Sequence, residues 1–142
     1  MYPKNRVLFI LILVVSCSAP PPEESADGLP EAPNESSFQT ISVLGDSLFA
    51  PNYTGERFNK LDSNLRIAFQ NWYQDSTEMN TIWYGRRVAY FGRYDKAIDI
   101  YTNGLSSYPE SYKLYRHRGH RYISIREFDK AIEDFAKAAE MM

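Results

Sequence analysis

The fold is decided by a pattern that the chain contains twice: W-Y-G-R-R-V-A-Y-F-G-R-Y-D-K-A-I-D-I-Y-T-N-G-L at residues 83–105 and Y-R-H-R-G-H-R-Y-I-S-I-R-E-F-D-K-A-I-E-D-F-A-K-A-A at residues 115–139. The tetrapeptide Asp-Lys-Ala-Ile is identical in both copies, at 95–98 and 129–132. Small and aromatic residues recur 34 positions apart, and the matched pairs are Gly85 and Gly119, Tyr94 and Phe128, Ala97 and Ala131, Tyr101 and Phe135, and Gly104 and Ala138. A fixed period of this kind indicates one structural unit that is repeated along the chain.

The period and its small and aromatic positions resemble the tetratricopeptide repeat, a helix–turn–helix unit. The resemblance covers about the last 65 of 142 residues. It implies an all-α fold, a short solenoid with repeats at 78–111 and 112–142. We predict helices at about 80–91 and 95–107 in the first repeat, and at about 111–125 and 129–142 in the second. The family identifies an interaction scaffold far better than it identifies a partner.

Small and aromatic residues of the repeats are predicted to pack the core rather than to form a site. The small residues let paired helices approach closely, and they are Gly85, Ala97, Gly104, Gly119, Ala131 and Ala138. Aromatic side chains are expected to fill the remaining space. They are Trp83, Tyr94, Tyr101, Tyr115, Tyr122, Phe128 and Phe135.

Length and composition limit the possible classes of protein. A chain of 142 residues has room for one domain at most. The net charge of −2 gives no signature of nucleic-acid binding. The single cysteine excludes an intramolecular disulfide and any cysteine-rich metal site.

The first 16 residues have the pattern of a signal peptide. Lys4 and Arg6 precede nine consecutive apolar residues at 7–15, too few for a membrane span of about 20. The following Val14-Val15-Ser16-Cys17 resembles the bacterial lipobox. That resemblance implies cleavage before Cys17, diacylation of Cys17 with palmitate among the acyl chains, and a membrane-anchored lipoprotein. The alternative is an ordinary secretory signal in which Cys17 is incidental.

Residues 17–37 are predicted to be a disordered, acidic, proline-rich tether. The segment from 18 to 37 has five prolines, five acidic residues and one large aliphatic residue, Leu29, so it cannot bury enough apolar surface to fold. A serine and acidic residues soon after the cysteine resemble surface-export signals of Bacteroidetes lipoproteins. We therefore expect an extracytoplasmic location in the cell envelope, at the outer membrane or on the periplasmic side of the inner membrane.

Residues 38–77 are predicted to be an irregular arm followed by a capping helix. Gly45, Pro51 and Gly55 interrupt any long element in the arm, which leaves room for one short helical turn at most. From 60 to 74 the apolar residues return to helical spacing, at Leu61, Leu65, Ala68, Phe69 and Trp72. We interpret this helix as a degenerate half-repeat that covers the open N-terminal end of the array.

Charge is predicted to separate between the two helix types. Residues 80–94 contain three basic side chains and 112–126 contain five, with no acid in either segment, whereas 95–110 carries a charge of −2 and 127–142 a charge of −3. In the tetratricopeptide family the first helix of each repeat lines a concave groove that often holds a peptide carboxylate. The resemblance places five side chains on or near that groove: Arg86, Tyr90, Lys113, Arg116 and His120. Either this groove binds an anionic, extended peptide, or it is a solvated basic surface balanced by acidic neighbours.

No cofactor, metal or catalytic site is predicted. His117 and His120 share a helical face, but Arg116, Arg118 and Arg121 surround them and disfavour a metal cation. A protonation-sensitive binding surface suits these histidines better. The sequence contains no glycine-rich phosphate loop, nucleophile motif or paired acidic cluster, so we expect no enzyme activity.

These observations predict a lipid-anchored, non-catalytic scaffold that binds a protein or an acidic peptide. The alternative is a structural subunit that associates with itself or with an envelope complex through the last helix. That helix ends in Glu140-Met141-Met142 and has no polar capping helix after it. We expect it to expose Phe135, Ala138 and Met142, so that either the natural chain continues further or this face meets another subunit.

Overall fold

The structure is a computed structural model, and it describes residues 38–41 and 44–142. The predicted signal peptide at 1–16, the lipidation site Cys17 and the tether at 17–37 lie outside the described residues. The described elements are β1 (Phe38–Ile41), β2 (Ser47–Phe49), α1 (Gly55–Gln74), α2 (Glu78–Tyr90), α3 (Tyr94–Ser107), α4 (Tyr112–Ser124) and α5 (Phe128–Glu140). The prediction of a helical solenoid is confirmed, because each helix packs on the next one along the chain.

Two of the described helices, α2 and α4, begin at a capping residue that the sequence supplies. The Thr77 side chain accepts a hydrogen bond from the backbone N–H of Asn80 and caps α2, and Ser111 caps α4 in the same way at the N–H of Leu114. Such caps satisfy N–H groups that have no partner inside the helix. The four repeat helices begin and end within about two residues of their predicted limits, which is the usual uncertainty of helix ends.

Close helix packing depends on one glycine in particular. A Cβ on Gly85 of α2 would overlap the ring of Tyr101 on α3, and Tyr101 is only 1% exposed. The core continues around this contact with Val88, Phe91 and Leu114, which are also fully buried. The repeating small residues therefore have the packing role that the sequence predicted for them.

The turns inside the two repeats occupy equivalent positions but use different residues. Gly92 joins α2 to α3 with a φ of 73°, and a Cβ there would lie 2.6 Å from the Cβ of Ala50. Arg126, 34 positions later, joins α4 to α5 with a φ of 67°. The left-handed region favours glycine, so the second turn carries backbone strain that the first avoids.

The arm before α1 differs from the irregular structure that the sequence predicted. β1 and β2 form an antiparallel pair in which Phe38 lies opposite Phe49. The hydroxyl of Thr40 donates a hydrogen bond to the carbonyl of Ile125 at 3.1 Å, which ties this hairpin to the end of α4. Strands of three and four residues are too short to show a periodicity in the sequence. Gly45, which the sequence suggested as an interruption of any long element, lies in the turn between the two strands.

Helix α1 starts earlier than predicted and covers the first repeat. It begins at Gly55 rather than near residue 60. Its buried residues Leu65 and Ala68 face the core, and its Phe69 ring lies 5.4 Å from that of Tyr84 on α2. Apolar contacts thus join α1 to α2 as one continuous layer of helices, as expected of a half-repeat that packs on the array.

Candidate functional site

The predicted groove residues lie on the two neighbouring helices α2 and α4. We call Arg86 and Tyr90 of α2, with Lys113, Arg116 and His120 of α4, the A-helix face. Glu78 at the start of α2 joins the two helices, because its carboxylate accepts a hydrogen bond from Ser111 and lies 3.3 Å from Lys113 Nζ. The Ser111 hydroxyl, and to a lesser extent Lys113, hold the pKa of Glu78 below its usual value, although burial opposes this effect.

Lys113 is therefore already paired, whereas several arginines are not. Among the residues that the structure describes, no ion pair includes Arg86, Arg87, Arg116 or Arg121. Arg86 Nη2 donates only a neutral hydrogen bond to the Tyr90 hydroxyl at 3.2 Å. A guanidinium without a carboxylate partner is available to an external anion.

His117 lies where positive charges from α2 and α4 act on the same side chain. Its ring stacks on that of Tyr101 with centroids 6.0 Å apart. Burial, and then the charges of Arg116 on the same helix and Arg86 on the neighbouring helix, lower the pKa of His117 to about 4. The imidazole is therefore neutral at neutral pH and serves as a packing group. It does not provide the protonation-sensitive surface in the physiological range that we had considered for the two histidines.

His120 lies at the α5 end of the A-helix face. Its ring meets Phe135 of α5 edge-on at 5.2 Å, and burial followed by Arg121 and Arg116 lowers its pKa. In the part of the chain that the structure covers, no cluster of His, Cys, Asp or Glu is arranged to hold a metal ion. Aromatic contacts thus hold the two α4 histidines on opposite sides: His117 contacts Tyr101 of α3, and His120 contacts Phe135 of α5.

Trp83 and Phe128 do not have the core position that the sequence predicted. Trp83 is 39% exposed, and the guanidinium carbons of Arg86 and Arg87 lie 4.4 and 5.1 Å from its ring. Phe128 is 43% exposed. The repeat pattern assigned both to the interior because it records residue type but not the neighbours that each ring meets. Trp83 instead extends the A-helix face towards α1.

A buried ion pair in the second repeat was missed. Arg118 of α4 donates two hydrogen bonds of 2.8 Å to the carboxylate of Asp134 on α5, and a third of 3.0 Å to the Thr102 hydroxyl on α3. At the equivalent positions 34 residues earlier the chain has Tyr84 and Ile100, both buried. The paired change from two uncharged residues, a tyrosine and an isoleucine, to two opposite charges is the signal that the sequence offers for this ion pair. Arg118 is one of the five basic side chains counted in 112–126, so that count overstates the free positive charge of α4.

The exposed face of α5 also differs from the prediction. Ala138 is only 5% exposed, and Phe135 contacts the position of Gly119 on α4, so these two residues are not part of an open face. Ile132 is 67% exposed and Met142 is 86% exposed. Ile98, which is equivalent to Ile132, is 9% exposed. Where the structure is described, none of the helices is both long and apolar enough to cross a membrane.

Comparison with known proteins supports the fold. No family model matches the chain. Two solved structures of MamA, one from MSR-1 and one from AMB-1, each match it with a TM-score of 0.53 at 22% identity. The match covers 60% of this chain and 49% of the MSR-1 protein, and 61% and 51% for AMB-1. The chain thus spans about half the length of these MamA chains, and it shares with them the helical solenoid of the tetratricopeptide type.

Proposed function

We propose that this protein is a non-catalytic scaffold whose A-helix face binds an acidic, extended segment of a protein partner. The observation that carries this proposal is the set of arginines on α2 and α4 without carboxylate partners in the described ranges. Burial, and after it the charges of Arg116 and Arg86, lower the pKa of His117 between these helices. An arginine presents a rigid fork of donors that matches a carboxylate. The helical solenoid shared with MamA is a fold suited to such a surface.

A defined peptide tests this binding. We expect a fluorescein-labelled decapeptide of glutamate to bind the full chain at low salt and to raise its own fluorescence anisotropy. A variant with Arg86→Glu and Arg116→Glu should bind at least about tenfold more weakly, because two attractive contacts become repulsive. The matched control is Lys96→Glu with Lys130→Glu, which makes the same change in net charge on exposed positions of α3 and α5. Equal losses in both variants would show that binding depends on net charge rather than on this face.

We also propose that the protein is a lipoprotein of the cell envelope that is anchored through Cys17. The support is the lipobox-like sequence Val14-Val15-Ser16-Cys17 after a short apolar run. Two acyl chains give firm anchoring where a single chain gives only marginal binding. In a bacterial host fed labelled palmitate, the wild-type chain should carry label and sediment with membranes, and Cys17→Ala should lose both. Membrane retention without label would contradict the anchor.

A second candidate function is self-association through the outer face of α5. The observation that favours it is the exposure of Ile132, because its equivalent Ile98 is covered in the first repeat. Phe128, one turn before Ile132 on the same helix, is 43% exposed, and neighbouring exposed apolar side chains of this kind are a common feature of interfaces. Analytical ultracentrifugation of the full chain in detergent should then show a dimer that Ile132→Glu converts to a monomer. A monomeric wild type at high concentration would exclude this function.

A further inference from the structure

A pocket of about 220 Å³ lies between α1 and α2, next to the A-helix face. We call it the α1–α2 pocket, and its walls include Asn64, Ile67, Asn71, Asn80, Trp83 and Arg87. A site for one water needs only about 10–15 Å³, so this pocket has room for a large side chain. Its lining contains no acidic residue.

The equivalent space in the second repeat is filled. Residues of α4 that correspond to Asn80, Trp83 and Arg87 are Leu114, His117 and Arg121. All three pack back onto α3: Leu114 is 0% exposed and contacts the position of Gly104, His117 stacks on Tyr101, and the Arg121 guanidinium lies 5.5 Å from the Tyr94 ring. The solenoid geometry therefore does not require a cavity here. The side chains of α1 leave it open in the first repeat.

The polar groups of the pocket complement a peptide bond. Asn80 Nδ2 is occupied, because it donates to the carbonyl of Asp75 at 2.8 Å. Asn64 and Asn71 make no side-chain hydrogen bond to any described residue. A carboxamide offers a donor and an acceptor side by side, which is the pattern that a backbone peptide group presents in reverse.

The remaining walls provide an apolar surface and one positive charge. Ile67 is 54% exposed and Trp83 is 39% exposed, so both present apolar area that a ligand would remove from water. The Arg87 guanidinium lies 5.1 Å from the Trp83 ring and 5.6 Å from the Tyr90 ring, which hold it at the rim. Trp83 also contacts Arg86 at 4.4 Å and so joins the pocket to the A-helix face.

We infer that the α1–α2 pocket binds one large apolar side chain of an acidic partner peptide. Asn64 and Asn71 bind the peptide groups that flank this side chain, and Arg87 pairs with a neighbouring carboxylate. The inference rests on the proposed function, to which it adds a sequence preference: an apolar residue within the acidic segment. Arginines alone select charge, whereas a pocket of this size and lining selects a side chain.

Two fluorescein-labelled probes test the inference with the full chain in detergent. One is a heptapeptide of glutamate with leucine at its centre, and the other has alanine there. We expect the leucine probe to bind about tenfold more tightly, since burial of its extra carbons on Ile67 and Trp83 is worth about one power of ten in affinity. Asn71→Trp, which fills the pocket from an exposed position, should reduce the leucine probe to the affinity of the alanine probe. On this variant both probes should bind equally, and each a few-fold more weakly than the alanine probe binds wild type, because the Asn71 carboxamide is lost.

Matched variants separate the outcomes. Gln70→Trp adds the same ring on an exposed neighbour outside the pocket and should keep the leucine preference. A second variant, Asn64→Ala with Asn71→Ala, should weaken both probes several-fold while circular dichroism stays unchanged. Equal affinity of wild type for both probes, or a leucine preference that survives Asn71→Trp, would overturn the pocket assignment while acidic binding stands. Failure of both probes to bind would overturn the proposed function and this inference with it.

Discussion

The buried pair of Arg118 and Asp134 makes a quantitative prediction about stability. The Asp134 side chain is 4% exposed and that of Arg118 is 16% exposed. Removal of one partner leaves the other charge buried without compensation, which costs about 3–5 kcal/mol. We expect Arg118→Met to reach the upper end of this range, because the carboxylate left behind has almost no access to water. Asp134→Val should cost less, since the longer arginine can turn its guanidinium towards solvent.

Replacement of both charges should restore most of the stability. Two apolar residues of matching size avoid the desolvation of both ions, and such exchanges are often neutral or stabilising by about 1–4 kcal/mol. Methionine is suitable at position 118 because it can pack on the rings of Tyr115 and Tyr122, over which Arg118 now lies. The first repeat supports this reasoning, because it buries Tyr84 and Ile100 at the equivalent positions.

Urea unfolding followed by far-ultraviolet circular dichroism measures these differences for wild type, both single variants and the double variant. The two single losses should together exceed the loss in the double variant by at least about 3 kcal/mol. Strictly additive losses, or single losses below about 1 kcal/mol, would refute the idea that this pair is energetically buried.

Three further predictions follow from the geometry. Ile98→Ala should lower the free energy of unfolding by about 2–4 kcal/mol, whereas Ile132→Ala, at the equivalent exposed position, should change it by less than about 0.5 kcal/mol. The midpoints of urea unfolding compare the two variants directly. Equal losses of stability would show that Ile132 is covered. Arg126→Gly should raise the free energy of unfolding by up to about 1 kcal/mol, because glycine relieves the strain of the left-handed backbone, while Gly92→Ala should lower it. A lower stability of Arg126→Gly would show that Arg126 is not strained. The folded-state pKa of His117 is about 4, below its ordinary 6.5, so its contribution to stability is complete above pH 6.5 and is lost as the pH falls towards 4. His117→Phe should therefore show a smaller drop in urea midpoint between pH 7 and pH 5, and an unchanged drop would assign the acid sensitivity to other groups.

Part of the candidate site followed from the sequence because repeat positions fix which helix carries a residue. Arg86, Tyr90, Lys113, Arg116 and His120 do lie on the adjacent helices α2 and α4. Their roles in binding stay predictions. Their partners could not be derived, since the pairing of Lys113 with Glu78 and the contact of His120 with Phe135 depend on side-chain conformation across helices.

The α1–α2 pocket and the N-terminal hairpin had no sequence signal of their own. A pocket arises where two surfaces fail to fill the space between them, and Asn64 and Asn71 are ordinary polar residues until α2 lies opposite. A hydrogen bond joins the hairpin to the end of α4, between Thr40 and Ile125, which are 85 positions apart. Local pattern carries little information about contacts at that separation.

The amino-acid sequence by itself determined the helical solenoid, the turn positions and the packing role of the small residues. These features follow from the repeat period of the sequence, since Gly85 and Gly119 occupy the same position in the first and the second repeat. Tertiary structure decided which charges are free. Arg118 and Arg116 belong to one basic helix, yet only Arg118 meets a buried carboxylate, while Arg116 remains exposed to solvent. The energy of a charge depends on what surrounds it in three dimensions, and a spacing along the chain does not specify those surroundings.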